Sequence, residues 1–166
     1  MKTLLVLRHA KPSWKRPGLA DHERPLNARG QRDAPRMGSL LTERQLEPDV
    51  IASSSATRAR LTAVAVAERC GRAEAVVTDG RLYLADPSDV VDVVREVGSS
   101  AIRLLIVGHN PTLEDLVCRL TGRAESMPTA ALAHIELSID SWTDLRLTTP
   151  GRLVDIWRPR ELDDDG

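Results

Sequence analysis

The chain contains very few aromatic residues, and this scarcity limits how its interior can be built. Its 166 residues include three Trp, one Tyr and no Phe. A hydrophobic core must therefore consist mainly of Leu, Val, Ile and Ala. Hydrophobic residues still make up 42% of the chain, so we expect one globular domain that buries most of its apolar surface without a disulfide or metal staple.

Three further absences exclude classes of protein. The formal net charge is only −1, which argues against a general nucleic-acid binder. The two cysteines, Cys70 and Cys118, have no metal-type spacing; we predict buried free thiols, with a disulfide as the alternative. No apolar run approaches the roughly 20 residues that span a membrane, and the first run is too short for a signal peptide. We therefore expect a cytoplasmic protein with no membrane partner.

Short apolar runs alternate with segments of helical periodicity along the chain. The predicted strands are residues 3–7, 49–53, 75–78, 103–107, 131–139, 144–147 and 152–157. The predicted helices are residues 27–44, 55–70, 89–97 and 110–120. This alternation predicts a single-domain α/β fold, a three-layer α/β/α sandwich with a mostly parallel central sheet. We assign residues 1–160 to this domain and residues 161–166 to a frayed acidic C-terminal tail.

Polar residues follow three of the predicted strands at the point where each strand ends. Arg8 and His9 follow the first strand, Arg58 comes shortly after the second, and His109 and Asn110 follow the fourth. Because the carboxyl ends of parallel strands meet at one edge of a sheet, we expect these side chains to lie close together. An imidazole beside fixed cations is well placed to attack the phosphorus of a phosphate group.

Each of these basic residues also has a purely structural interpretation. If Ser55 caps a helix, Arg58 lies in its first turn, where a cation is unfavourable and a bound anion would compensate it. The alternative is a solvated arginine. His109 could instead bond a neighbouring carbonyl in a turn. We predict that His22 is exposed but within reach of the site, and that His134 is structural.

Several motifs together resemble the histidine phosphatase superfamily, which includes the cofactor-dependent phosphoglycerate mutases. The motifs are Leu-Val-Leu-Arg-His-Ala at 5–10, Ser-x-x-x-Arg-Ala at 54–59 and Val-x-His-x-Pro at 107–111. Arg-Pro-Leu-x-x-x-Gly at 24–30, the short chain and Met-Pro-Thr-Ala at 127–130 resemble the SixA branch of small phosphohistidine phosphatases. The resemblance extends over about residues 2–157, and it implies a phosphoglycerate mutase-like fold.

The resemblance also implies roles for individual residues. His9 would be the nucleophile that accepts the phosphoryl group, with Arg8, Arg58 and His109 as catalytic partners. The implied phosphate-binding or substrate-binding residues are Arg8, Arg24, Arg58, His109 and Asn110. The arginines and His109 would supply the positive charge, so we predict neither a metal nor another cofactor.

The segment that precedes the third predicted helix departs from the family pattern. Many relatives carry a glutamate proton donor there, whereas this chain offers only Asp86. Asp86 either donates a proton or starts the helix together with Pro87. An enzyme with a weak or absent proton donor suits a substrate with a good leaving group, and a phosphorylated imidazole has one. We therefore predict a phosphatase that acts on phosphohistidine in proteins. The alternatives are a phosphatase or mutase acting on a small phosphorylated metabolite, and a non-catalytic phosphate-binding module.

Overall fold

The alternating apolar runs become six strands of one sheet in the computed structural model, which describes residues 1–164. The strands are β1 Lys2–Arg8, β2 Val50–Ser54, β3 Val76–Asp79, β4 Arg103–Gly108, β5 Leu132–Leu137 and β6 Gly151–Trp157. Their order is β3-β2-β4-β1-β5-β6. The first four strands in this order pair in parallel, and β5 and β6 add an antiparallel edge. The predicted mostly parallel sheet is confirmed.

Helices cover both faces of this sheet. They are α1 Ala28–Glu43, α2 Thr57–Arg69, α3 Pro87–Val97, α4 Thr112–Thr121 and the short α5 Pro159–Asp164. Side chains of a strand point alternately to opposite faces, and β1 shows this directly. Leu4 and Val6 pack with α3 and α4 in one core cluster, whereas Leu5 and Leu7 pack with α1 and α2 in another. The three-layer α/β/α sandwich is therefore confirmed.

Three predicted helix starts are wrong by one or two residues. α3 begins at Pro87 rather than at Asp89. α2 begins at Thr57 with Ala56 as the N-cap residue, not Ser55. The Ser54 hydroxyl accepts the Ala56 N–H at 3.2 Å, so the turn before the helix uses Ser54 instead. α4 begins at Thr112, after Pro111 rather than Asn110.

The C-terminal region differs more from the prediction. Residues 144–147 do not form a strand: Asp144 ends the 3-10 helix Trp142–Asp144, and residues 145–147 follow it without forming a strand. Trp142 is fully buried and its Nε1 donates to the Ala101 carbonyl at 2.7 Å, which draws this segment onto the helical layer. The frayed tail is also wrong in part, since α5 extends beyond residue 160 and Leu162 packs against the core. Residues 165–166 lie outside the described part of the chain.

Close packing beside the first strand explains one glycine. A Cβ on Gly30 would lie 2.3 Å from the Lys11 carbonyl oxygen, so only glycine lets α1 approach the segment that follows β1 this closely.

Both cysteines are free thiols, but only Cys70 is buried; the prediction that Cys118 is buried is wrong. Within residues 1–164, no helix has the length and apolar character needed to cross a bilayer.

Candidate active site

The parallel pairing of β1 and β4 places two histidines side by side. Arg8 lies opposite Gly108 in the register, so the next residues, His9 and His109, leave the sheet together. Their ring centroids are 4.9 Å apart. β2 ends at the same edge, and Arg58 reaches it from the first turn of α2. The structure therefore brings together the strand ends that the sequence predicted to converge.

His9 is buried, and its ring is held in one tautomer. Its Nδ1 lies 2.8 Å from the carbonyl oxygen of Ala10, which can only accept, so Nδ1 carries the proton. The lone pair is then on Nε2, toward which Arg58 directs its Nε–H at 3.4 Å. Burial, helped by the neighbouring His109, Arg58 and Arg8 and opposed by the hydrogen bond to the Ala10 carbonyl, lowers the pKa of His9 to about 3. The imidazole is therefore neutral, with a free electron pair that faces an arginine.

Arg58 is buried and already has an anionic partner. Its Nη1 donates to the backbone carbonyl of Asp21 at 2.7 Å, and its Nη2 donates to the Asp21 carboxylate at 3.0 Å. The alternative of a solvated arginine is therefore wrong. The carboxylate of Asp21 supplies a compensating negative charge from within the protein and fixes the guanidinium plane, and the binding of a further anion by Arg58 stays a prediction.

Asp21 also connects Arg58 to a third residue, Tyr83. The Tyr83 hydroxyl donates to Asp21 Oδ2 at 2.7 Å, and this hydrogen bond is the main cause that lowers the pKa of Asp21. Arg24 Nε lies 3.9 Å from the other carboxylate oxygen. Sequence reasoning missed both Asp21 and Tyr83. Tyr83 is the chain's single tyrosine and follows an apolar leucine, and Asp21 precedes the Arg-Pro-Leu motif by three positions, but neither pattern indicates which side chains meet.

The Met127 backbone carbonyl holds the Arg8 side chain in place. Arg8 Nη1 and Asn110 Nδ2 both donate to the Met127 carbonyl, at 3.1 and 2.8 Å, and the Met127 N–H donates to Glu114 at 2.7 Å. Three residues later, the Ala130 N–H donates to the Arg8 and His9 carbonyls. The Met-Pro-Thr-Ala motif therefore orients the residues of β1 that face the site. The phosphate-binding role of Asn110 stays a prediction.

Several buried polar atoms around the cavity have no hydrogen-bond partner among the described residues. They are Arg8 Nε, Arg24 Nε, Arg24 Nη1 and Asn110 Oδ1. Buried polar groups are nearly always paired in native proteins, so such a cluster needs an explanation. Three of the four atoms belong to guanidinium donors, which match the oxygens of a phosphate group.

His109 is the second neutral imidazole of the site. Its Nε2 lies 2.8 Å from the Ser54 hydroxyl, so the alternative of a bond to a neighbouring turn carbonyl is wrong for this nitrogen. Burial and the positive charge of Arg58 lower the pKa of His109 to about 4. The site therefore combines two neutral imidazoles with three arginines, and Asp21 supplies a compensating negative charge.

Comparison with known proteins agrees with this geometry. The family model for the histidine phosphatase superfamily (branch 1) matches residues 4–83. An uncharacterised protein of Mycobacterium tuberculosis is 34% identical over 150 residues, which cover 84% of this chain and 91% of the relative. The chain belongs to the histidine phosphatase superfamily. The resemblance inferred from the motifs is confirmed.

Solved structures show the same fold. A candidate phosphohistidine phosphatase SixA of Agrobacterium tumefaciens is 27% identical, with a TM-score of 0.80 over 95% of this chain and 98% of that one. A mycobacterial glucosyl-3-phosphoglycerate phosphatase is 20% identical, with a TM-score of 0.70 over 95% and 98% of the two chains. This fold is therefore shared by two proteins whose names give different substrates.

In this member of the superfamily, Asp86 is the N-cap residue of α3 and also lies on the cavity wall. Its N–H donates to the Asp89 carboxylate at 2.8 Å, and its carbonyl accepts the Asp89 N–H at 3.0 Å. The predicted helix-start function is confirmed. The exposed Asp86 carboxylate also borders the cavity, so its role as a proton donor stays a prediction.

The other two histidines differ in their relation to the cavity. His22 is half-buried beside the site; its Nε2 lies 2.9 Å from Ser55 Oγ, and its ring meets Tyr83 edge-on with centroids 4.7 Å apart. His134 lies in β5 and stacks on Trp157, away from the cavity. The structural interpretation of His134 is confirmed.

The cavity over His9 has a volume of about 470 Å³ and opens to solvent. Its floor holds Arg8, His9, Arg58 and His109, and Arg24 and Asp86 lie on its walls. Two large apolar side chains, Trp14 and Leu84, also line it and are 62% and 86% exposed. No group of three or more His, Cys, Asp or Glu side chains in residues 1–164 is arranged to hold a metal ion.

Proposed function

We propose that this protein is a phosphatase that forms a covalent phosphohistidine on His9 and acts on phosphohistidine in proteins. One observation carries the proposal. The His9 imidazole is neutral, its Nδ1 proton is engaged by the Ala10 carbonyl, and its Nε2 lone pair faces the cation of Arg58. A nucleophile in this state needs no base to activate it.

In the first step, the Nε2 lone pair attacks the phosphorus and the bond from phosphorus to the leaving group breaks. The phosphorylated His9 ring then carries a positive charge, and the Ala10 carbonyl stabilises it by accepting the Nδ1–H bond. In the second step, water attacks the phosphorus and the P–Nε2 bond breaks. The electron pair returns to Nε2, and inorganic phosphate leaves with the water oxygen.

The arginines supply the electrostatic stabilisation that phosphoryl transfer needs. Arg58 is fixed by Asp21, and Arg8 is fixed by the Met127 carbonyl, so neither guanidinium has to reorganise as charge develops. Arg24 brings two buried nitrogens, Nε and Nη1, that make no hydrogen bond to a described residue. We assign the phosphoryl oxygens to these donors together with His109.

Phosphohistidine is the substrate class that best suits the acid–base groups present. A phosphorylated imidazole that is protonated on its second nitrogen departs as neutral imidazole, so its departure requires no proton from the enzyme. Asp21 is ionised and bonded to Arg58 and Tyr83, which makes it a poor acid. The likeness to a SixA structure supports the same substrate. A small-metabolite phosphatase is the second candidate, because Asp86 on the cavity wall could protonate an alkoxide.

The test compares substrates and traps the intermediate. The wild type is assayed on a phosphohistidine-bearing protein, on phosphoramidate and on a panel of phosphomonoesters, and kcat/KM is compared. Wild-type enzyme quenched in alkali should carry acid-labile phosphate on His9. His9→Ala should lose both turnover and this label, whereas the control His134→Gln should retain them. Near-normal turnover in His9→Ala would overturn the mechanism, and a higher kcat/KM on a phosphomonoester would favour the second candidate.

A further inference from the structure

The mouth of the cavity presents apolar surface that the rest of the protein does not cover. Trp14 is 62% exposed and Leu84 is 86% exposed, and both line the cavity that contains His9. The other two tryptophans, Trp142 and Trp157, are 0% and 8% exposed. A chain so poor in aromatic residues thus places one of them at the entrance to its active site.

Trp14 is held at this entrance by its neighbours. The guanidinium carbon of Arg24 lies 4.1 Å from the ring centroid of Trp14, in a cation–π contact. Just before Trp14 in the sequence, Pro12 forms an isolated β-bridge with Leu26, and the Ser13 N–H donates to the Pro25 carbonyl at 2.7 Å. The indole is therefore a fixed part of the mouth.

Leu84 is held there against its backbone preference. Its φ is +55°, in the left-handed region, which is uncommon for a leucine and energetically unfavourable. Its neighbours fix this conformation, because Tyr83 bonds Asp21 and the Ala85 carbonyl accepts a hydrogen bond from Thr112 Oγ1. A strained and exposed leucine is stabilised by few contacts within the protein, so its side chain is available to a partner.

We propose that Trp14 and Leu84, here called the apolar rim, dock the protein that carries the phosphohistidine. This inference rests on the proposed function. The cavity that both side chains line contains His9 and opens to solvent, so a phosphoryl group that enters it passes them. A small charged metabolite gains little from such residues, whereas a polypeptide segment can place apolar side chains against them. Exposed Lys15 and Arg16 follow Trp14, whereas exposed Asp86 lies two residues after Leu84. The segment that fits therefore places its acidic residues beside Trp14 rather than beside Leu84.

The experiment measures a selectivity ratio. We compare kcat/KM on a phosphohistidine-bearing protein with kcat/KM on phosphoramidate, a small P–N substrate with no apolar group. Leu84→Gly, which suits the left-handed backbone, and Trp14→Ala should each lower the ratio at least fivefold, mainly through KM on the protein. The ratio is the readout because Trp14 also contacts Arg24, so its loss can affect both substrates.

A matched control shows whether any exposed apolar residue has this effect. Ile102 is 59% exposed and directly precedes β4, at the opposite edge of the sheet. Ile102→Ala should leave the ratio unchanged. If Leu84→Gly and Trp14→Ala keep the wild-type ratio, or lose both activities equally, the docking inference is wrong while the proposed function stands. If the wild type cleaves phosphoramidate but no phosphohistidine protein, the proposed substrate itself is wrong.

Discussion

The burial of a neutral His9 should make the protein less stable in mild acid. The folded-state pKa is about 3, below the ordinary value of 6.5. Between these two values the unfolded chain binds a proton at this position and the folded protein does not. Stability must therefore fall as the pH drops below about 6.5, and the loss continues until the pH approaches the folded-state pKa.

The size of this effect follows from the two pKa values. Linkage gives a loss of about 2 kcal/mol in unfolding free energy between pH 7 and pH 5 from His9 alone. His109 and the carboxylates contribute to the pH dependence as well. They remain present in a variant that lacks only His9, so their contribution cancels when the variant is compared with the wild type.

His9→Asn is the informative variant, because its side-chain amide can still donate to the Ala10 carbonyl and does not titrate. Urea unfolding of both proteins at pH 7 and pH 5 gives four free energies. The wild type should lose about 2 kcal/mol more than His9→Asn over this interval. Equal losses in the two proteins would show that His9 is not held neutral by burial, and the reasoning about its nucleophilicity would fail with it.

Three further predictions concern the walls and support of the site. If Asp86 only starts α3, Asp86→Asn should affect the hydrolysis of alkyl phosphates and of phosphoramidate to the same extent. A lower kcat on alkyl phosphates alone would instead identify Asp86 as the proton donor. Asp21→Asn should lower kcat/KM by about five- to tenfold, since a neutral amide orients Arg58 more weakly than a carboxylate; unchanged kinetics would contradict this role. Gly30→Ala should cost about 1–3 kcal/mol in urea unfolding because its Cβ meets a backbone carbonyl, whereas Gly18→Ala, which has open space around it, should cost far less.

Local patterns were sufficient to predict the elements around the site. The three apolar runs that end in the polar residues of the site became β1, β2 and β4 of the parallel sheet, and their ends meet at one edge because the strands share a direction. Arg8, His9, Arg58 and His109 could be placed together for this reason. The conformation of a segment could not be predicted where it depends on one distant contact. Residues 144–147 are the clearest case, because the neighbouring Trp142 side chain donates a hydrogen bond to the Ala101 carbonyl.

The sequence by itself determined the fold class, the edge of the sheet that carries the site and the basic residues that converge there, because strand direction and periodicity are local properties. Only the tertiary structure showed that Asp21 pairs with Arg58 and Tyr83, that the Ala10 carbonyl sets the tautomer of His9, and that Trp14 and Leu84 border the cavity. These contacts join residues from loops and from different elements. Their geometry depends on how the loops pack over the end of the sheet, and no periodic pattern in the chain encodes that packing.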